Sequence, residues 1–347
     1  MINGKVRNLR SSQISNSSAV TIGASGSLDL SGGGDGIGSL DGSGSVNLGA
    51  NFINSFGSGS HTYNGVISGS GSFMLAGNIT CTLNGNNTYT GQIYLYDDFP
   101  STVNINGSQP QSPVYVGNHA TLGGSGTVGP IEARGSVSPG GSPGILTSSN
   151  ATFSASGNFT VELAGPNPGT DYDQLIVRGS NSLANAALAI NLRFSTPFAV
   201  GQKFSIIENV GIEPVTGIFL GHPEGSTWLQ NGFGFSISYV GGSGNDVVLM
   251  LTAVPGAVAG SSVTRGNGSG TIVPDECNYL SLIVSNQTGS PMTGISATLS
   301  STTPNVAVTQ PSSAYADVPA SGKGRNTTPS STAQITTRSE MVPRTPV

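Results

Sequence analysis

The sequence predicts an all-β chain: a parallel β-helix followed by a partial immunoglobulin-like β-sandwich. Three observations carry this. Short motifs recur at a fixed shift, and a period of about 20–50 residues is the signature of stacked repeats. Thr62-Tyr63-Asn64-Gly65 returns as Thr88-Tyr89-Thr90-Gly91. Gly42-Ser43-Gly44-Ser45-Val46 returns as Gly69-Ser70-Gly71-Ser72-Phe73 and again as Gly124-Ser125-Gly126-Thr127-Val128, so the shifts are 26 and 27 residues and then 55, about two periods. Between these corners lie alternating stretches such as Ser45-Val46-Asn47-Leu48 and Phe159-Thr160-Val161-Glu162-Leu163, which read as short strands. Helix signals are nearly absent. The one candidate, Ser182 to Leu192, is Ala-rich but runs on into a strand pattern without a stop. The shift places Tyr63 and Tyr89 at equivalent points of neighbouring coils.

Taken in order, residues 1–19 read as a poorly ordered segment or an incomplete first coil. Residues 20–252 read as the β-helix. Its later strands, around Leu175-Ile176-Val177, Phe204-Ser205-Ile206-Ile207, Phe235 to Tyr239 and Val247 to Leu251, are spaced more loosely, as terminal coils are. Residues 253–261 read as a linker. Residues 262–320 carry Leu280 to Val284, Gly294 to Leu299 and Val306 to Val308, short strands with turn signals between them, as in a sandwich. Residues 321–347 lose the pattern and read as a disordered or aberrant tail.

Composition narrows the function. Gly supplies 52 and Ser 51 of the 347 residues, while charged residues make up 8% and aromatics 6%. Soluble domains run near a quarter charged, so an ordinary cytosolic enzyme is a poor fit. Gly has no strict period of three, which excludes collagen. At 35% apolar residues and a net charge of −5, the chain is not simply disordered either. Lysine occurs only at 5, 203 and 323, so no basic stripe exists to neutralise phosphates, and no nucleic-acid partner is expected. No run of 18 apolar residues exists for a transmembrane helix. Cys81 and Cys277 fall in different modules, which argues against a disulfide between them.

Several segments resemble the autotransporter-associated β-strand repeat family of bacterial surface proteins. Leu83-Asn84-Gly85-Asn86-Asn87-Thr88-Tyr89-Thr90-Gly91 is similar to its L-x-G-x-N-T-Y-x-G core, and Ser138-Pro139-Gly140-Gly141-Ser142-Pro143-Gly144 to its S-P-G-x-S-P-G signature. Gly169 to Leu175 and Gly244 to Leu249 resemble segments near the end of such passenger regions. The resemblance covers residues 20 to 252. It implies an exported, right-handed β-helix without catalytic residues of its own, extracellular or on the bacterial cell surface. Residues 262–320, from Gly266 to Cys277 onward, resemble a β-sandwich module of secreted bacterial proteins. The opening residues lack a signal-peptide core and no translocating barrel follows residue 252, so a fragment of a larger surface protein is expected.

Candidate chemistry is sparse. Gly140 to Gly144 fits G-x-S-x-G, but Pro143 stands where that motif needs an oxyanion-hole N–H, so a turn is expected. Gly241 to Leu249 fits a single calcium-binding nonapeptide, where sites need tandem copies; a turn is expected there too. Asp97 and Asp98 read as a solvated loop, Asp171 and Asp173 as turn caps, and His61, His119 and His222 as surface or turn residues. Trp228 is expected to pack at the end of the solenoid. The one metal expectation is a degenerate calcium loop at 265–276, with Asn267, Ser269, Thr271 and Glu276 as ligands. Arg265 stands where an Asp is wanted, which implies weak Ca²⁺ binding, millimolar at best. No other cofactor is expected.

The reading is a non-catalytic structural or adhesin-type surface segment, with host or matrix glycans or proteins as partners. Two alternatives differ by geometry. A glycan-binding module predicts exposed Tyr and Asn in register along one face. A polysaccharide-degrading β-helix needs several carboxylates, often with Lys or Arg, on one face of adjacent coils, and predicts three or more charged side chains converging in one groove.

Overall fold

The computed structural model describes residues 1–141, 143–193, 199–254, 257–265, 277–286, 291–303, 306–309, 311–320, 322–326 and 333–337. Among them there is no helix. Ser182 to Leu192, the one helical candidate, holds the strand Ala187–Leu192. The chain divides into two units, Met1–Thr227 with Ser236–Met250, and Trp228–Phe235 with Leu251–Val347.

The first unit is a parallel β-solenoid of about eight turns. Sheet I holds nine strands, from Ala19–Ile22 and Ser39–Gly42 through Gly59–Tyr63, Ile79–Leu83 and Thr102–Ile105 to Ala187–Leu192, each bonded to the strand one coil later. Sheet II holds Lys5–Arg7, Ser27–Asp29, Ser45–Asn47 and Val66–Ser68. That side continues through residues 87–90, where Thr88 N donates to Ile67 O at 2.9 Å, into sheet IV, from Ser108–Gln109 to Lys203–Asn209. Sheet III holds eight strands from Asp35–Ile37 to Asn181–Ser182. The parallel stack ends where Asp246–Ala253 pairs antiparallel to Lys203–Asn209.

Period-2 alternation sets which side chains form the core. On sheet I, Cys81, Val103, Leu122, Val137 and Phe159 pair in register and are all buried. On sheet III, Ile53, Phe73, Ile93, Val114, Ile131 and Ala151 do the same. Each fully buried Val, Leu, Ile or Phe contributes about 1.5–3 kcal/mol, so these columns hold the stack together.

The coil is shorter than the repeated motifs predict. Ala19 pairs Ser39, Gly42 pairs Tyr63, Gly59 pairs Ile79, Thr80 pairs Thr102 and Thr102 pairs Thr121, steps of 19–22 residues. Tyr63 therefore pairs Leu83 on sheet I, whereas Tyr89 lies beside Ile67–Gly69 on the next side of the coil. The expected equivalence of the two tyrosines is corrected: a shift of 26 residues is one coil plus about six, so the copies mark successive corners. Both rings point inward and are fully buried, which is why the same motif serves at both.

Glycine explains how coils this short stack. An added Cβ at Gly65 would overlap the carbonyl oxygen of Gly44, at Gly85 that of Gly65, at Gly107 that of Gly85 and at Gly126 that of Gly107. These corners form a ladder in which each backbone rests directly on the one before. Elsewhere glycine makes room for a ring: a Cβ at Gly34 would meet Phe52, and one at Gly36 would meet Phe56.

Residues 1–19, expected to be loose or an incomplete coil, form an irregular first turn. Ile2 bridges Ile22, and Lys5–Arg7 pairs Ser27–Asp29. The buried Asp35 carboxylate then accepts from Asn8 Nδ2 at 2.6 Å, Gln13 N at 2.8 Å and Ile14 N at 3.0 Å.

In the second unit, Ala257–Arg265, Cys277–Ser285, Ala333–Thr337 and Val306–Val308 form one antiparallel sheet, with Lys323–Arg325 also on Cys277–Ser285. Two expectations are corrected. Residues 257–261, placed in a linker, belong to a strand, and residues 323–325 and 333–337, placed in an aberrant tail, supply two more. Trp228 is half-buried and packs against Phe235, with ring centroids 5.9 Å apart.

Candidate functional site

The outward faces of the coils carry the polar and aromatic residues from which any site must be built. Two arrays stand in register there. Asn64, Asn84 and Asn106 precede the corner glycines at 65, 85 and 107. Asn84 Nδ2 donates to Asn64 Oδ1 at 2.7 Å, Asn106 Nδ2 donates to Asn84 Oδ1 at 2.9 Å, and Ser125 N donates to Asn106 Oδ1 at 3.2 Å. The column links four coils through exposed amides.

The second array lies on sheet III, where Met74, Tyr94, Tyr115 and Glu132 pair in turn. The Tyr94 and Tyr115 rings stack with centroids 4.6 Å apart and planes 7° from parallel. Tyr96 meets Tyr94 edge-on at 4.8 Å, and its hydroxyl points at the Met74 sulfur at 3.7 Å. The Arg134 guanidinium covers the far face of the pair, 5.4 Å from the Tyr115 centroid. Tyr115 Oη donates to both Asp97 oxygens, at 3.2 and 3.1 Å. Burial first, then the Asp97 carboxylate, pushes the Tyr115 phenol up to about 12.

These arrays match the register expected of a glycan face, but each spends its binding capacity on itself. A sugar platform needs a free ring face, and Tyr115 lies between Tyr94 and Arg134. The middle asparagine both gives and takes an amide hydrogen bond along its own column.

The remaining candidates are structural in their contacts. Asp97 takes the Asn118 N–H at 3.0 Å as well as Tyr115, and His119 Nδ1 lies 2.6 Å from Asp97 O, so this turn is tied down rather than freely solvated. His61 Nδ1 lies 2.8 Å from Asp41 Oδ2 and its Nε2 3.1 Å from Ser58 O, so neither ring nitrogen faces the neighbouring Cys81. Cys81 is a free, buried thiol, pushed up to about 12 by burial and then by Asp41, which leaves it unreactive. Asp171 caps its own turn through Asn167 N at 3.1 Å.

Asp173 does more than the turn cap expected of it. Its Oδ1 accepts Gly144 N at 2.9 Å and its Oδ2 accepts Glu162 N at 2.8 Å. It therefore ties Gly144, at the start of the sheet IV strand Ile145–Ser148, to Glu162 in the sheet I strand Asn158–Leu163. Burial outweighs these two hydrogen bonds and raises its carboxyl to about 6. At the other candidate calcium segment, residues 242–245 form a turn and Asp246 accepts Asn209 N at 3.0 Å. Asn267, Ser269, Thr271 and Glu276 lie outside the described residues. Among the described residues, no three metal-ligating side chains cluster, and no helix is long and apolar enough to cross a membrane.

One groove does gather charge. Lys5, Arg7 and Asp29 line a concavity of about 410 Å³ on sheet II. Arg7 Nε sits 3.3 Å from Asp29 Oδ2, and Asp29 also accepts Ser31 N and Asn47 Nδ2. The Ser31 backbone N–H leads in holding this carboxyl below its ordinary range. Three charged side chains thus converge in one groove, as the polysaccharide-degrading alternative predicts, with a single carboxylate among them. Lys5 makes no ion pair among the described residues.

No protein-family model matches the chain. The chain is 40% identical over 101 residues, 28% of its length, to an extracellular serine protease of Serratia marcescens. That stretch covers 9% of the protease, so the likeness is to a small part of it.

Proposed function

We propose that this chain is a non-catalytic, exported β-solenoid that serves as a structural or adhesin-type segment of a bacterial surface protein. The observation that carries the reading is the closure of both outward arrays upon themselves. Asparagine amides bonded to one another, and tyrosines stacked under an arginine, stiffen a stack of coils. The partial likeness to a protein described as an extracellular protease supports export. So does the resemblance to autotransporter-associated repeats, which also implies a right-handed coil, while the separate resemblance of residues 262–320 to a module of secreted bacterial proteins implies an immunoglobulin-like sandwich.

Antibodies raised against the solenoid should label intact cells of the organism that makes it, and external proteinase K should remove the label. Labelling only after permeabilisation would contradict the reading.

A further inference from the structure

The asparagine column has an end, and the end is concave. Asn64 accepts from Asn84 through Oδ1, and its Nδ2 donates to no described residue. One coil earlier the same corner position holds Ser43, a shorter side chain. The step from Asn to Ser opens a concavity of about 600 Å³, whose polar lining includes Lys5, Ser25, Ser27, Ser43, Ser45 and Asn64. No carboxylate lines it. It shares Lys5, Ser27 and Ser45 with the concavity of about 410 Å³ on sheet II, so the two lie side by side. Their combined extent exceeds what a lone inorganic ion fills.

Charge is segregated in the same place. Lys5, Arg7 and Arg10 are the only Lys or Arg residues before Arg134, whereas Asp29, Asp35, Asp41, Asp97, Asp98 and Glu132 follow them. Arg7 is engaged by Asp29, which leaves the Lys5 ammonium to face the shared opening. The surface offers one unpaired cation, a free amide N–H₂ and four hydroxyls, with backbone glycines at 26, 44 and 65 between them. That set matches an anionic polyol: a carboxylate for Lys5, and sugar hydroxyls for the serines and for the Asn64 amide three strands along.

We infer that the first-coil corner binds a carboxylated polysaccharide, with Lys5 holding a uronate carboxylate and Asn64, three strands further along the stack, a sugar hydroxyl. The choice of ligand rests on the surface reading above, but a failed titration leaves that reading standing, because cell labelling tests it separately.

The test is calorimetric titration of the full chain with oligogalacturonate, and with a neutral galactan oligomer of equal length. Oligogalacturonate should bind and the neutral chain should bind at least about tenfold more weakly, the worth of one charge-assisted contact. Lys5→Glu should lose about tenfold or more, whereas Arg10→Glu, the same charge change outside the concavity, should stay within about twofold. Ser43 is exposed, so Ser43→Phe fills the notch without entering the core, and it should also abolish binding. No binding by the unaltered chain would overturn the proposal. Equal losses in Lys5→Glu and Arg10→Glu would do the same, since they would show diffuse attraction rather than a site.

Discussion

Gly85→Ala should lower the melting temperature by about 6–12 °C, the shift expected in a unit of this size for a loss of about 3 kcal/mol. The added methyl would overlap the Gly65 carbonyl oxygen, a backbone atom that cannot rotate away. The coils must then separate at that corner, which lengthens the ladder hydrogen bonds and loosens the core columns beneath. Gly85 has no positive φ, so the loss would report packing rather than backbone strain. Gly4→Ala is the matched control, because nothing lies within 4 Å of a Cβ there. Thermal unfolding of the two variants beside the parent checks it, and equal melting temperatures would remove the glycine ladder from the account.

The second large effect is a pH dependence centred on Asp173. Its carboxyl is raised to about 6, above the ordinary 3.8, because burial disfavours the charged form. Below about pH 4 both folded and unfolded chains hold the proton, and the contribution is fully present. As pH rises from about 4 through 6, the unfolded chain gives up its proton first, and folding loses about 3 kcal/mol to this group. Asp173→Asn has no such proton to lose. Its melting temperature relative to the parent should therefore rise by about 6–12 °C between pH 4 and pH 7, read by calorimetry at each pH. A difference that stays constant, or moves the other way, would contradict the assigned environment.

The strands and their stacking were legible because their signals are local. Alternation of one apolar and one polar residue identifies Asn158–Leu163 whatever lies beside it, and Gly/Ser pairs mark where the chain turns. The coil length was harder to read. The strongest repeats, T-Y-x-G and G-S-G-S, mark two different corners that share a buried aromatic or a tight turn. The true spacing is carried by Ser43-Gly44, Asn64-Gly65, Asn84-Gly85, Asn106-Gly107 and Ser125-Gly126. Two-residue copies hardly stand out in a chain so rich in Gly and Ser. Contacts that depend on coil length were invisible for the same reason: Asp173 finds Gly144, 29 residues away, only once the stack exists. The same holds for Tyr94 and Tyr115, whose stacking follows from a step of 21 residues. In the second unit, Ala333-Gln334-Ile335-Thr336-Thr337 has one large apolar side chain and no alternation. Pairing with Cys277–Ser285 and Val306–Val308, not propensity, makes it a strand.

Cross-linking between coils tests the account most directly. In a Cys81→Val, Cys277→Ser background, a Thr62→Cys, Thr82→Cys pair places thiols on in-register neighbours of sheet I. A Thr62→Cys, Thr88→Cys pair places them at the 26-residue shift of the repeated motif. With a short bifunctional thiol reagent, the first pair should cross-link rapidly and the second should not. The reverse result would restore the longer coil, and with it dissolve the glycine ladder, the asparagine column and the site at its end.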